Sequence, residues 1–509
     1  MRHRTEAAAG SAQRSSLAAR IAASWDAGRF REAAATYDRE AGKRPPPHAA
    51  LFRARAYLNE DDAPAAIKLL DGIATSDPAI AARRDLFLAS AHARVGHYDV
   101  ADELFGAAYA AARLSSDREL ANDVVYYRAQ RYLFERRPDA ARALLPEARA
   151  LHTVFAELRT LHLESFILDQ EGMHHDQARV LMHVLSRIDP NSLAFVEIRA
   201  WATNTLATLA RELYLPEALS EIERQLGGTQ WPDDFDDRRF QTLKALGWAC
   251  ALRGDYFNAF RFLRLCSRKA TSDAWRTVAA AERAELARCN GEPLWSRQEL
   301  AEAEEYAAAV DWNAVRDEAR LVLLLLAELF VPIDAAKASY YQARFNDAGG
   351  IEGRNHHLTS DPRLGALAGY SAAIVDLATD HRKIAIDLLK KALATFGSHA
   401  YDWRAGRCAL RLYEATREIA YLDAARELLR HYAQSWLGDE LRKLAERPVA
   451  LPPMQARVLE QLRKGLSTAE IATALGRSEF TIRNHIKLIF KAFQVNSRAA
   501  LIAKLSGSR

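Results

Sequence analysis

Arg483, Asn484, Lys487 and Lys491 carry the groups that read duplex DNA, multiple N–H donors spaced so that a helix sets them along one side. Guanidinium and ammonium groups bind phosphate, and forked donors can pair two atoms of a base edge in a major groove. His485 lies beside them. The same residues could form an ordinary solvated helix face, so the surrounding elements must decide between the two.

Those elements can be read in order from Leu451. Pro453 suits a first helical position, where its missing N–H would have no partner, and Val458, Leu459 and Leu462 follow at helical spacing, predicting a helix to about Lys464. Gly465 supplies a turn, and Ser467 with Glu470 three residues on forms a capping box, predicting a second helix over about 468–475. Gly476 allows the next reversal and Ser478 caps a third helix. Its Ile482, Ile486, Ile489 and Phe493 make one apolar stripe, leaving the basic residues on the other face. Ser497 caps a last short helix through Ala499, Leu501, Ile502 and Leu505.

This segment resembles the LuxR-type (GerE-like) helix-turn-helix domain of bacterial transcription regulators. The resemblance rests on Leu451, Pro453, Val458, Leu459, Gly465, Ser467, Glu470, Ile471, Ala472, Ser478, Thr481, Ile482, His485, Val495, Ser497, Arg498 and Leu501. Gln455, Ala492 and Gln494 depart from the usual pattern. The resemblance implies that the third helix is a recognition helix, with DNA contacts drawn from Ser478, Thr481, Arg483, Asn484, His485, Lys487, Lys491 and Arg498.

Charge agrees. From 451 to 509 there are ten Lys or Arg against three Asp or Glu, so about −3 remains for the rest of a chain whose formal net charge is +4. The basic surplus is local, as phosphate binding requires.

The other 450 residues are repetitive. Gly28, Phe30, Ala33 and Tyr37 recur as Gly96, Tyr98, Ala101, Phe105 and Ala108, and as Gly254, Tyr256, Ala259, Leu263 and Cys266. Ala66, Leu70, Ile73 and Pro78 fall at matching offsets, and the steps of 33 and 35 residues from Ala33 to Ala66 to Ala101 bracket the tetratricopeptide period. A small alanine lets paired helices approach, an aromatic fills the gap to the next pair, and glycine allows a tight turn. Looser matches stand at Ala141, Leu145 and Ala148, at Ala178, at Ala218, at Ala336, Tyr340 and Ala343, and at Ala385, Leu389 and Ala392. The chain from Ser16 to Tyr432 thus resembles a tetratricopeptide-like superhelix, whose concave side can hold a peptide, partner helix or small ligand. Tyr126, Tyr127, Arg128, Arg131, Trp201, Asn204, Trp248 and Trp403 are polar or aromatic groups that such a groove could use.

Other functions find no residues. Cys250, Cys266, Cys289 and Cys408 lack C-x-x-C spacing, which fits a reducing compartment. His174 and His175, and His356 and His357, are adjacent pairs expected in loops, without the three- or four-residue spacing of helical metal ligands. No G-x-x-x-x-G-K-[ST] phosphate loop occurs, and no nucleophile with a partner histidine stands out, so neither cofactor, metal nor catalysis is expected. The first 15 residues read as a frayed tail with no apolar segment to make a secretion signal. The apolar run Leu321–Ala327 ends at Glu328, far short of the ~20 residues that span a bilayer.

The sequence therefore predicts an all-α chain: tail 1–15, superhelix 16–432, a proline-marked linker 433–450 and a four-helix DNA-binding module 451–509. The function expected is a cytoplasmic transcription regulator, dimeric on double-stranded DNA, with an effector in the superhelix groove and RNA polymerase as a further partner left open. The alternative is a scaffold or adaptor that uses the last module for docking or dimerisation.

Overall fold

A computed structural model describes residues 17–26, 28–42, 45–59, 62–150, 153–193, 195–228, 231–232, 235–315, 318–351, 361–446, 451–493 and 495–506. The expected tail, His356 and His357 lie outside these residues. Among the described residues every regular element is a helix, and none is long and apolar enough to cross a membrane. The chain divides into two compact units, Met1–Asp402 and Trp403–Arg509.

The first unit is an array of helix pairs, and Pro78–Arg94 with Tyr98–Leu114 shows how one is made. Asp77 accepts from the N–H groups of Ala79 and Ile80, and Pro78 fills the first helical position. Gly96 is left-handed at φ 84°, and the His97 N–H closes on the His92 carbonyl at 2.9 Å. With three residues between the helices, the second must fold back on the first. It buries Ala101, Phe105 and Ala108 completely. The same stripe is buried at Ala33 and Tyr37, at Ala66 and Leu70, at Ala259, Leu263 and Cys266, and at Ala385, Leu389 and Ala392. The unit is built of stacked helix pairs, each burying a stripe of small residues.

Several details differ from expectation. Ala336 and Ala343 are exposed and Tyr340 is more than half exposed. The helix starts at Ala335 behind an Asp334 cap, so its buried stripe is Ala338, Tyr341 and Phe345. Ala141, Leu145 and Ala148 are buried, but in two short helices, Pro138–Arg142 and Leu145–Arg149, because Pro146 opens the second. His174 is not in a loop: it begins the helix His174–Ser186 and is only 2% exposed. Arg131, offered above as a groove residue, is buried in ion pairs with Asp102 and Glu135, and Trp248 donates to Glu282 at 2.6 Å. In the second unit, part of the expected linker is the helix Trp436–Glu446, which buries Trp436, Leu437 and Leu444.

The array also closes on itself within the first unit. Phe30 meets Phe235 edge-on at 5.5 Å, Arg31 pairs with Asp237 at 2.8 Å, and Arg55 pairs with Glu197 at 3.0 Å. Further along, Arg363 forks onto Asp169 at 2.8 and 3.1 Å, and His174 Nε2 lies 3.3 Å from His399 Nδ1.

Two predictions follow from this packing. At Gly96 a Cβ would meet nothing within 4 Å, so Gly96→Ala carries only the left-handed strain, about 1–2 kcal/mol. At Gly28, φ 71°, a Cβ would also stand 2.7 Å from Pro232, so Gly28→Ala should lower the melting temperature further than Gly96→Ala in thermal unfolding of the full chain. The second concerns pH. Burial holds His174 and His399 below the usual imidazole range, with Arg363 adding to the depression, while Asp169 opposes it at both and Asp361 opposes it at His399. Burial, with Arg159 and Arg238, pushes His162 down to about 3. Folded values below the unfolded ~6.5 mean that this stability is present above that pH and is lost as pH falls below it. The melting temperature should therefore drop between pH 7.5 and 5, and less steeply in His399→Gln.

Candidate nucleic-acid interface

The last four helices, Pro453–Arg463, Thr468–Leu475, Glu479–Phe493 and Arg498–Ser506, share one small core. Val458, Leu462, Ile471, Ile482, Ile489 and Leu501 are almost fully buried in it, with Phe493 beside them and Ile486 partly covered. The apolar stripe of the third helix is therefore its anchored side.

Local chemistry fixes each joint. Gly465 and Gly476 are left-handed at φ 89° and 62°, ending the first two helices. The capping box forms in both directions: the Ser467 N–H donates to Glu470 at 2.7 Å and the Glu470 N–H to Ser467 Oγ at 3.3 Å. The bond from the Ser467 N–H, with the Ser467 hydroxyl beside it, holds the Glu470 carboxyl below its usual range. Ser478 Oγ accepts from the Thr481 N–H at 3.2 Å and lies 2.9 Å from the Thr481 hydroxyl, so both hydroxyls sit at the start of the third helix. Ser497 Oγ accepts from Ala500 N–H at 3.2 Å.

The exposed side of Glu479–Phe493 carries Arg483, Asn484, Lys487 and Lys491. At about 100° per residue, Asn484 and Lys491 lie nearly opposite the buried stripe, with Lys487 and Arg483 to one side. Thr481 and His485 are half-buried at its other edge, and His485 Nδ1 is enclosed without a hydrogen-bond partner among the described residues. Arg498 stands apart from this group. Its guanidinium donates to the Leu462 carbonyl at 2.9 Å, tying the last helix to the end of the first. Two residues absent from the sequence reading belong to the exposed side: Phe480, 74% exposed, and Leu488, 48% exposed. Their spacing of four and eight from Asn484 and Phe480 was visible, but apolar residues on a basic face carry no charge signal; in a groove they suit thymine methyl groups.

The module's carboxylates do not neutralise this face. Glu470 is spent in the capping box, and Glu460 pairs with Lys464 at 2.8 Å, which lowers its carboxyl's affinity for protons. Glu479 pairs with Arg483 at 3.0 Å, but both are exposed, and such a pair contributes only about 0.3–0.5 kcal/mol. A phosphate could take Arg483 away at little cost. Among the described residues Lys487, Lys491 and Arg477 have no ion pair. Likewise, no three His, Cys, Asp or Glu are grouped to hold a metal ion among them.

The defining pattern of "Bacterial regulatory proteins, luxR family" matches residues 450–505. No curated protein matches the chain as a relative. Among solved structures, it is similar to a Rap protein complexed with competence and sporulation factor, at 12% identity and TM-score 0.37, over 69% of this chain and 99% of that one. It is also similar to the Cut9–Hcn1 hetero-tetramer of APC/C, at 13% identity and TM-score 0.25, over 83% and 95%.

The joints generate a test of the module's construction. Ser467→Ala should destabilise the second unit by about 1 kcal/mol in chemical denaturation. Arg498→Gln should raise amide hydrogen exchange across 498–506 while leaving Thr468–Leu475 protected.

Proposed function

We propose that this chain, whose residues 450–505 belong to the luxR family of bacterial regulatory proteins, is a cytoplasmic transcription regulator. The helix Glu479–Phe493 enters the major groove, Lys487, Lys491 and Arg483 neutralise phosphates, and Asn484 reads a base edge, flanked by Phe480 and Leu488. Ser478 and Thr481 meet the backbone at the helix start. His485 and Arg498 act mainly by holding the helix in place. The chain binds as a dimer on paired half-sites, and the repeats over 16–432 take up the effector that controls binding.

The observation that carries this reading is a basic face, its one ion pair exposed and weak, opposite a buried apolar stripe, inside a module with the luxR-family pattern. A docking surface would not need Lys487 and Lys491 both left without a carboxylate partner among the described residues.

DNA binding by the full chain should weaken steeply with salt, and Lys487→Ala and Lys491→Ala should each flatten the log–log slope by about 0.9. Asn484→Ala should relax sequence selectivity by about 1–3 kcal/mol with the slope unchanged. Binding that keeps both slope and selectivity in all three variants would remove this helix as the reader, and no selective binding by the full chain would move the function to an adaptor.

A further inference from the structure

The first helices of four successive repeats, Arg118–Phe134, Val154–Gln170, Val196–Leu213 and Asp236–Ala251, bring one chain of side chains together. The Arg159 guanidinium lies 4.1 Å from the centre of the Tyr126 ring and pairs with Asp123. Tyr126 is nearly parallel to His162, 19° between planes, and His162 borders Phe166 at 4.8 Å and Trp201 at 6.4 Å. Arg238 lies over Trp201 at 3.3 Å. Tyr126, Phe166, Trp201 and Arg238 reach solvent, while His162 is 4% exposed.

Two donors in this cluster are left over. Gln130 Nε2 donates to Tyr126 Oη at 3.0 Å, so the tyrosine proton points to His162 Nδ1, 3.3 Å away. Neutral His162 then carries its own proton on Nε2, a buried atom with no partner among the described residues. Arg238 is the second. Its guanidinium makes no hydrogen bond or ion pair among the described residues, and Glu318, Asp237 and Glu197 act on it only at longer range. Asp237 and Glu197 are already engaged by Arg31 and Arg55. Burial pushes Arg238 down to about 10.

We propose that this cluster is the effector site and that its ligand is an organic carboxylate, held by Arg238 and the Nε2–H of His162 with its apolar body against Trp201, Tyr126 and Phe166. Among the described residues, one guanidinium without an ion pair and one neutral N–H suit a monoanion, because Arg159 and Arg55 already have carboxylate partners. The aromatic walls suit an apolar body. This assignment rests on the reading of the repeats as the controlling region. The carboxylate can belong to a free acid or to the end of a peptide.

The test uses the full chain without DNA, so its outcome is separate from that of DNA binding. Benzoate and a phenylalanine-ended peptide with a free carboxyl terminus are titrated at constant ionic strength, each against its amide, reading melting temperature and calorimetric heat. Saturable binding by a carboxylate and not by its amide is expected, weakened at least roughly tenfold in Arg238→Gln and partly restored in Arg238→Lys. Benzoate binding alone identifies a small acid as the source, and peptide binding alone identifies a chain end. Equal binding of acid and amide, unchanged binding in Arg238→Gln, or no binding by either acid overturns the proposal.

Discussion

One backbone constraint organises the repeat array: a single left-handed residue stands two positions ahead of helix after helix. Gly28, Gly96, Gly172, Gly254 and Gly291 fill it before Phe30, Tyr98, His174, Tyr256 and Pro293. Ser116, Arg136, Tyr214, Asp380, Ala400 and Arg417 fill it before Arg118, Pro138, Pro216, Arg382, Asp402 and Ile419. The N–H that follows closes on a carbonyl five residues back, as from His97 to His92, Asp117 to Ala112, Arg137 to Tyr132 and His381 to Asp376. That bond satisfies the end of one helix while aiming the next. A side chain in this conformation costs about 1–2 kcal/mol, so its recurrence shows how strongly helix packing determines the turn.

With the turn repeated, the small-residue stripe falls on the same side of each pair and the pairs coil. Coiling brings Arg31 to Asp237, Arg55 to Glu197 and Asp169 to Arg363, separations of 206, 142 and 194 residues. The same curvature gathers Tyr126, His162, Trp201 and Arg238 from successive repeats onto one face. The proposed ligand site and the curvature thus belong to the same helices, which would give an effector a physical route to alter the array.

The helices of the last module were legible almost residue by residue. Its caps at Ser467, Ser478 and Ser497 and its breaks at Gly465 and Gly476 act locally, so sequence neighbours determine them. The repeats were legible where glycine marks the turn and obscure where Ser116 or Arg136 takes its place. Ala336 and Ala343 misled because alanine also suits exposed helix positions, and only the Asp334 cap sets the register there. The contact of His174 with His399 could not be read, since a period fixes neighbours but not how tightly the array winds. Arg498 matched a DNA-binding pattern, and its hydrogen bond to Leu462 depends on a fold between two distant helices.

The central claim is a DNA reader governed by a helical-repeat region. The most direct measurement is the affinity of the full chain, and of the compact unit 403–509 alone, for the DNA upstream of its own coding sequence and for a shuffled duplex. The account predicts that both select the upstream DNA and differ in affinity, because the repeats bias the module. Equal affinity of each protein for both duplexes would contradict it.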